Sequence, residues 1–133
     1  MAVIVVGYVP KPEGEAALRL AVEEAKLRDA SLVVVNSHRG RDLGELESVR
    51  ADAFLDAISE QLVAAGIQHE VHHLVRGMDP ADDLVSVARE VSAELIIIGL
   101  RRRSPVGKLI LGSNAQRILL DAPCPVLAVK AVE

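Results

Sequence analysis

The residues best placed to do chemistry lie between Gly99 and Gln116, where the chain reads Gly99-Leu-Arg-Arg-Arg-Ser-Pro-Val-Gly107-Lys-Leu-Ile-Leu-Gly112-Ser113-Asn-Ala-Gln116. An apolar burst, Leu95-Ile96-Ile97-Ile98, precedes this stretch, so the pattern is a buried strand, a glycine-punctuated basic loop and the start of a helix. Ser113 is suited to cap the first helical turn, and Gln116, three residues on, to reach back in a capping box. Free N–H groups at that helix end, its dipole, and Arg101, Arg102, Arg103 and Lys108 would together stabilise an anion, above all a phosphate. The same residues also suit a solvated basic loop that only connects two elements. Composition alone leaves both open.

Other constellations offer less. His69, Glu70, His72 and His73 invite a metal, yet His69 and His73 on one face of a strand stand about 13 Å apart at ~3.3 Å per residue, too far for one ion. Cys124 lies between Pro123 and Pro125 at a strand start, where a buried inert thiol is expected rather than a nucleophile. Asp82 and Asp83 begin a helix and would complement its dipole. There is no Walker A lysine, no G-x-S-x-G elbow and no acid cluster for Mg²⁺, so any hydrolysis is expected to be slow and incidental.

These residues must be positioned by a scaffold, and the patterning describes one. Val3-Ile-Val-Val6 reads as a buried strand ending at Gly7, and Tyr8 to Gly14 as a proline-stiffened loop. From Glu15 the period changes, with Leu18, Ala21, Val22 and Ala25 on one helical face. A second apolar strand spans Ser31 to Asn36, a loop Ser37 to Gly44, and a helix with the stripe Leu55, Ile58, Leu62 and Ala65 stops at Gly66. The third strand, near His69 to Val75, is polar enough to lie at a sheet edge. Asp79 is expected to cap a third helix, with Pro80 at its first position and Leu84, Val87, Ala88 and Val91 as its stripe. The fourth strand and basic loop come next, then a helix from Ser113 to Asp121, then a strand from Cys124 to Lys130.

Regular β-α alternation predicts an α/β fold, a single open five-stranded parallel sheet with helices on both faces, over one domain spanning residues 1–133. The polar third strand favours the order 3-2-1-4-5 over 2-1-3-4-5. Strands one and four are then neighbours at the switch in winding direction, where ligands of open α/β sheets bind. Their carboxyl ends carry Gly7-Tyr8-Val9 and Gly99-Leu-Arg101.

At 133 residues, 50% hydrophobic, the chain can bury roughly two-thirds of its unfolded surface. The single Cys124 excludes an internal disulfide. No signal peptide or bilayer-spanning run stands out, so a cytoplasmic protein without a membrane partner is expected. A net charge of −4, with only Tyr8 and Phe54 as aromatics, argues against a nucleic-acid surface.

The spacing Gly99, Arg102, Gly112, Ser113 is similar to the G-x2-G-x9-G-[S/T] nucleotide loop of the universal stress protein family, with Arg102 in place of the middle glycine. Asp121-Ala-Pro-Cys-Pro-Val-Leu-Ala-Val129 resembles the family's last strand and its approach, and Arg76-Gly-Met-Asp-Pro-Ala81 the start of its third helix. The likeness covers essentially the whole chain. It implies a Rossmann-like, adenine nucleotide alpha hydrolase-like fold and a regulatory stress-response protein that binds an adenine nucleotide, ATP or AMP, with or without Mg²⁺. The residues implied at that site are Gly7, Tyr8, Val9, Asn36, Ile98, Gly99, Arg101, Arg102, Gly107, Gly112, Ser113 and Asn114. Val9 stands where the family usually has an aspartate near the ribose, and Ala115 where a second hydroxyl often lies. Arg102 could obstruct a triphosphate or clamp one. Tyr8 could cover the base or plug the strand end.

The alternative is a nucleotide-free dimeric adaptor of the same fold, acting through protein partners. In either case the last strand is an uncharged edge over Val126, Leu127, Ala128 and Val129, which predicts a homodimer through those residues.

Overall fold

The computed structural model describes residues 2–38, 45–75, 79–100 and 112–131. Its elements run β1 (Val3–Gly7), α1 (Pro12–Arg28), β2 (Ser31–His38), α2 (Glu45–Ala64), β3 (His69–Val75), α3 (Pro80–Glu90), β4 (Leu95–Leu100), α4 (Ser113–Asp121) and β5 (Val126–Lys130). The five strands form one sheet in the order β3-β2-β1-β4-β5, and every pairing is parallel. The expected fold and strand order are both present, with the histidine-bearing β3 at an edge.

Strand alternation divides the apolar residues between two cores. Ile4 and Val6 of β1, Leu32 and Val34 of β2, and Leu95 and Ile97 of β4 pack with Leu18 and Ala21 of α1 and Ile58 and Leu62 of α2. Val5, Val33, Val35, Ile96 and Ile98 point to the other side, onto Leu84, Val87 and Ala88 of α3 and Ile118 of α4. A sheet buried on both faces needs apolar residues at successive positions, which is why β1, β2 and β4 read as unbroken runs rather than alternating ones.

Several boundaries differ from the patterning. Helix α1 begins at Pro12, not Glu15, because Lys11 is extended at the cap position and Pro12, with its preset φ and no N–H to waste, takes the first helical site. Strand β2 continues to His38 and β4 through Gly99 to Leu100. Strand β5 starts at Val126 rather than Cys124; the carbonyl of Pro125 accepts the Ile96 N–H at 3.0 Å at its threshold. Asp79 and Pro80 hold the cap and first positions of α3 as expected, though Asp79 makes no side-chain cap bond.

Candidate functional site

Parallel strands joined by helices bring the carboxyl ends of the strands and the N-termini of the following helices to one end of the sheet. There a crevice of about 170 Å³ opens. Its walls are Gly7, Tyr8 and Val9 after β1, Val35 of β2, Ile98 and Gly99 of β4, Glu13 and Gly14 of α1, Pro80, Ala81 and Leu84 of α3, and Asn114, Ala115 and Ile118 of α4.

Two glycines set how tightly these elements meet. A β-carbon on Gly14 would collide with the main chain of Val9, and one on Gly99 with the main-chain carbonyl of Glu13. The start of α1 therefore lies directly against both the β1–α1 turn and the end of β4. The turn is further fixed by Lys11 N–H donating to the Val9 carbonyl at 2.8 Å and Tyr8 N–H donating to the Val35 carbonyl at 2.9 Å.

Tyr8 is only 2% exposed and packs in the cluster beneath α1, so it plugs the strand end while forming part of the crevice wall. Its hydroxyl donates to Glu15 Oε1 at 2.7 Å. Burial first, and then the Glu15 carboxylate, push the phenol well above its ordinary range. Asn36 is buried behind the wall and does not line the crevice; its Nδ2 donates to the Tyr8 carbonyl at 3.0 Å, while its Oδ1 has no partner.

The helix ends differ in charge. Glu13 and Glu15 stand in the first turn of α1 and Asp82 and Asp83 in that of α3, whereas the first turn of α4 contains no acid. Each of α1 and α3 also has a proline at its first position, which removes one donor. Of these three helices, α4 is the one whose positive end is uncompensated by a first-turn acid.

One expectation about α4 is corrected. Gly112, extended at φ −68° and ψ 165°, holds the cap position, and Ser113 is the first helical residue. The Gln116 N–H bonds the Gly112 carbonyl at 3.0 Å. A glycine cap brings no side chain to the first-turn N–H groups, so the Ser113 capping box is not the arrangement present.

Of the residues singled out in the sequence, Gly7, Tyr8, Val9, Ile98, Gly99 and Asn114 meet in the crevice. Ser113 lines an adjoining groove between α3 and α4 with Asp79, Gln116 and Arg117. Arg101, Arg102, Arg103, Gly107 and Lys108 lie outside the described residues. Glu13 and Gly14 were missed because the chain through Gly14 read as loop; a proline followed by acidic residues, Pro12-Glu13-Gly14-Glu15, was the available signal for an earlier helix start.

Asp82 and Asp83 also part company. Asp82 accepts from Arg117 at 3.3 Å, and Asp79 from the same guanidinium at 2.9 Å, tying α4 to the start of α3. Asp83 is fully buried, so it is more than a dipole-complementing surface acid. Cys124 is half-buried, and burial raises its thiol pKa. In β3, His69 lies 2.8 Å from the Ser59 hydroxyl and 2.9 Å from the Ile67 carbonyl, and His72 lies 3.2 Å from Glu70. Among the described residues no group of three His, Cys, Asp or Glu side chains is placed to hold a metal, and no helix is long and apolar enough to cross a membrane.

Comparison with known proteins agrees with this architecture. Residues 1–130 match the model of the universal stress protein family. A universal stress protein of Mycolicibacterium smegmatis is 43% identical over 96% of each chain. Among solved structures, a universal stress protein from Archaeoglobus fulgidus is 39% identical, covers 98% of each chain and superposes with a TM-score of 0.82. A second structure, the universal stress protein from Archaeoglobus fulgidus in complex with dAMP, is 33% identical over 98% of each chain with a TM-score of 0.76. The chain belongs to the universal stress protein family.

Proposed function

We propose that this protein binds an adenine nucleotide, ATP or AMP, as a regulatory ligand at the carboxyl ends of β1 and β4, and acts in a cytoplasmic stress response. The observation that carries the proposal is the uncompensated N-terminus of α4, whose residue Asn114 faces the crevice. A phosphate there would receive first-turn N–H groups and the positive end of the helix dipole, with no acidic side chain in that turn to compete. The largely apolar walls from Val9, Ala81, Leu84 and Ile98 suit a base and sugar. The archaeal relative in complex with dAMP supports the same ligand class. Ser113, Gly112 and the basic residues Arg101 and Arg102 complete the proposed phosphate contacts; Mg²⁺, where present, would be held chiefly by the phosphates. In this reading binding is the function, and any ATP hydrolysis is slow and incidental.

The proposal extends to a homodimer. Strand β5 is a sheet edge, and its residues Val126, Leu127 and Val129 are only half-buried while Ala128 is exposed. A two-fold pairing of β5 with its copy would satisfy the edge and cover these side chains. A nucleotide-free dimeric adaptor is the second reading, favoured by one observation: Val9 presents an alkyl group at the crevice where a carboxylate would serve a sugar.

Mass analysis of small molecules released from natively purified protein, followed by calorimetric titration with ATP, ADP and AMP, separates the two. The chain has one tyrosine and no tryptophan, so ultraviolet emission reports on Tyr8 in the crevice wall. Recovery of an adenine nucleotide and a saturable heat are expected; no heat at millimolar nucleotide would leave the adaptor.

A further inference from the structure

We infer that Glu13 sets ligand specificity in the crevice by accepting hydrogen bonds from sugar hydroxyl groups, an inference that rests on the nucleotide reading of the same site. Among the described residues that line the crevice, Glu13 is the only carboxylate. It is half-buried, and its backbone lies against Gly99 at the end of β4. The neighbouring acids are already engaged: Glu15 accepts from Tyr8, and Asp79 and Asp82 from Arg117. The Glu13 carboxylate takes part in none of the side-chain hydrogen bonds or ion pairs formed among the described residues.

A half-buried carboxylate without a protein donor is open to donors from water or from a ligand in the crevice. The Val9 carbonyl already receives the Lys11 N–H at 2.8 Å, and the Val9 side chain is alkyl. The Tyr8 hydroxyl gives its proton to Glu15.

The crevice thus has two chemically opposite walls. The first turn of α4, at Asn114, attracts an anion, while Glu13 repels anions and attracts donors. A bare phosphate satisfies only the first. A ligand whose phosphate is carried on a hydroxylated sugar satisfies both, because a carboxylate can accept from two neighbouring hydroxyls at once. The ligand class selected is therefore a ribonucleoside phosphate of low charge, over a polyphosphate or a sugar stripped of its hydroxyls.

The test is calorimetric titration of the unmodified protein and of Glu13→Gln with AMP and with 2′,3′-dideoxy-AMP, in buffer with a chelator. The unmodified protein is expected to prefer AMP by about tenfold, the factor one charge-assisted hydrogen bond carries. Glu13→Gln should shrink the preference to about twofold or less, and because it removes a charge that repels anions it should not weaken binding of the dideoxy compound. Glu13→Asp, which keeps the charge but shortens the reach, should fall between. Thermal melting of each variant checks that the fold is retained. An equal preference in both proteins, tighter AMP binding by Glu13→Gln, or a preference that requires Mg²⁺ overturns the inference. Failure of the unmodified protein to bind either compound removes the nucleotide reading itself, and this inference with it.

Discussion

Gly14 sits against the main chain of Val9 so closely that no β-carbon fits between them, although Gly14 occupies the first turn of a helix. Replacing a helical glycine with alanine ordinarily stabilises by about 0.5–1 kcal/mol. Here the sign should reverse, because the added methyl has only backbone to displace. Gly14→Ala is expected to destabilise by about 1–3 kcal/mol, the usual range for overpacking, and to weaken nucleotide binding by moving Val9. Urea denaturation measures the first; a gain in midpoint would mean that α1 can shift away from the turn at no cost.

Asn114 offers a test in which stability and function separate. An acid in the first turn of α4 would complement its dipole, so Asn114→Asp should stabilise the fold by about 0.3–1 kcal/mol. The same charge would repel a phosphate at that helix end and reduce nucleotide affinity by about tenfold or more. Melting and titration on the same sample read both effects. Unchanged affinity would show that the phosphate is not held by α4.

The Tyr8 phenol gives a signed pH dependence. Its pKa is raised in the folded state from an ordinary value of 10.0, by burial and by Glu15. Above that value the unfolded chain releases the proton while the folded chain keeps it, so stability from this group is complete below about pH 10 and declines as the pH rises. Tyr8→Phe should cost about 1 kcal/mol at neutral pH through the lost hydrogen bond. The gap between the two proteins should narrow above pH 10, followed by denaturant titration at each pH. A gap that widens with alkali contradicts the sign.

Light scattering at micromolar concentration should report twice the monomer mass. Leu127→Lys or Val129→Lys, each placing a charge in the exposed edge of β5, should shift the population to monomer with little change in helical content. A concentration-independent monomer in the unmodified protein would reject pairing through β5.

Much of this architecture was legible because it rests on burial. A two-sided core demands unbroken apolar strands, and β1, β2 and β4 display them; His69, His72 and His73 mark β3 as an edge. The crevice followed from strand order, since the switch between β1 and β4 is a property of topology. What escaped depends on backbone direction and packing. Pro10-Lys11-Pro12 has loop composition, yet Pro12 opens α1 and carries Glu13 to the crevice. Ser113 and Gln116 have the spacing of a capping box, but the extended backbone of Gly112 takes the cap. Asp83 is buried by the way α3 lies on the sheet, which its neighbours in sequence do not disclose.

The pairing of Ile4 with Leu95, Val5 with Ile96 and Val6 with Ile97 has a consequence for the order of synthesis. On the ribosome, β1 gains β2 as a partner early, but its other edge stays unpaired until β4 has emerged. A chain stalled before Leu95 would carry an apolar strand with a row of unsatisfied backbone groups, open to pairing with other nascent chains. The crevice walls come from β1, the start of α1, β2 and α3 on one side of that point, and from Ile98, Gly99, Asn114, Ala115 and Ile118 on the other. A ligand in the crevice therefore cannot rescue an incomplete chain, and its capture would mark the moment at which the two halves of the sheet have joined.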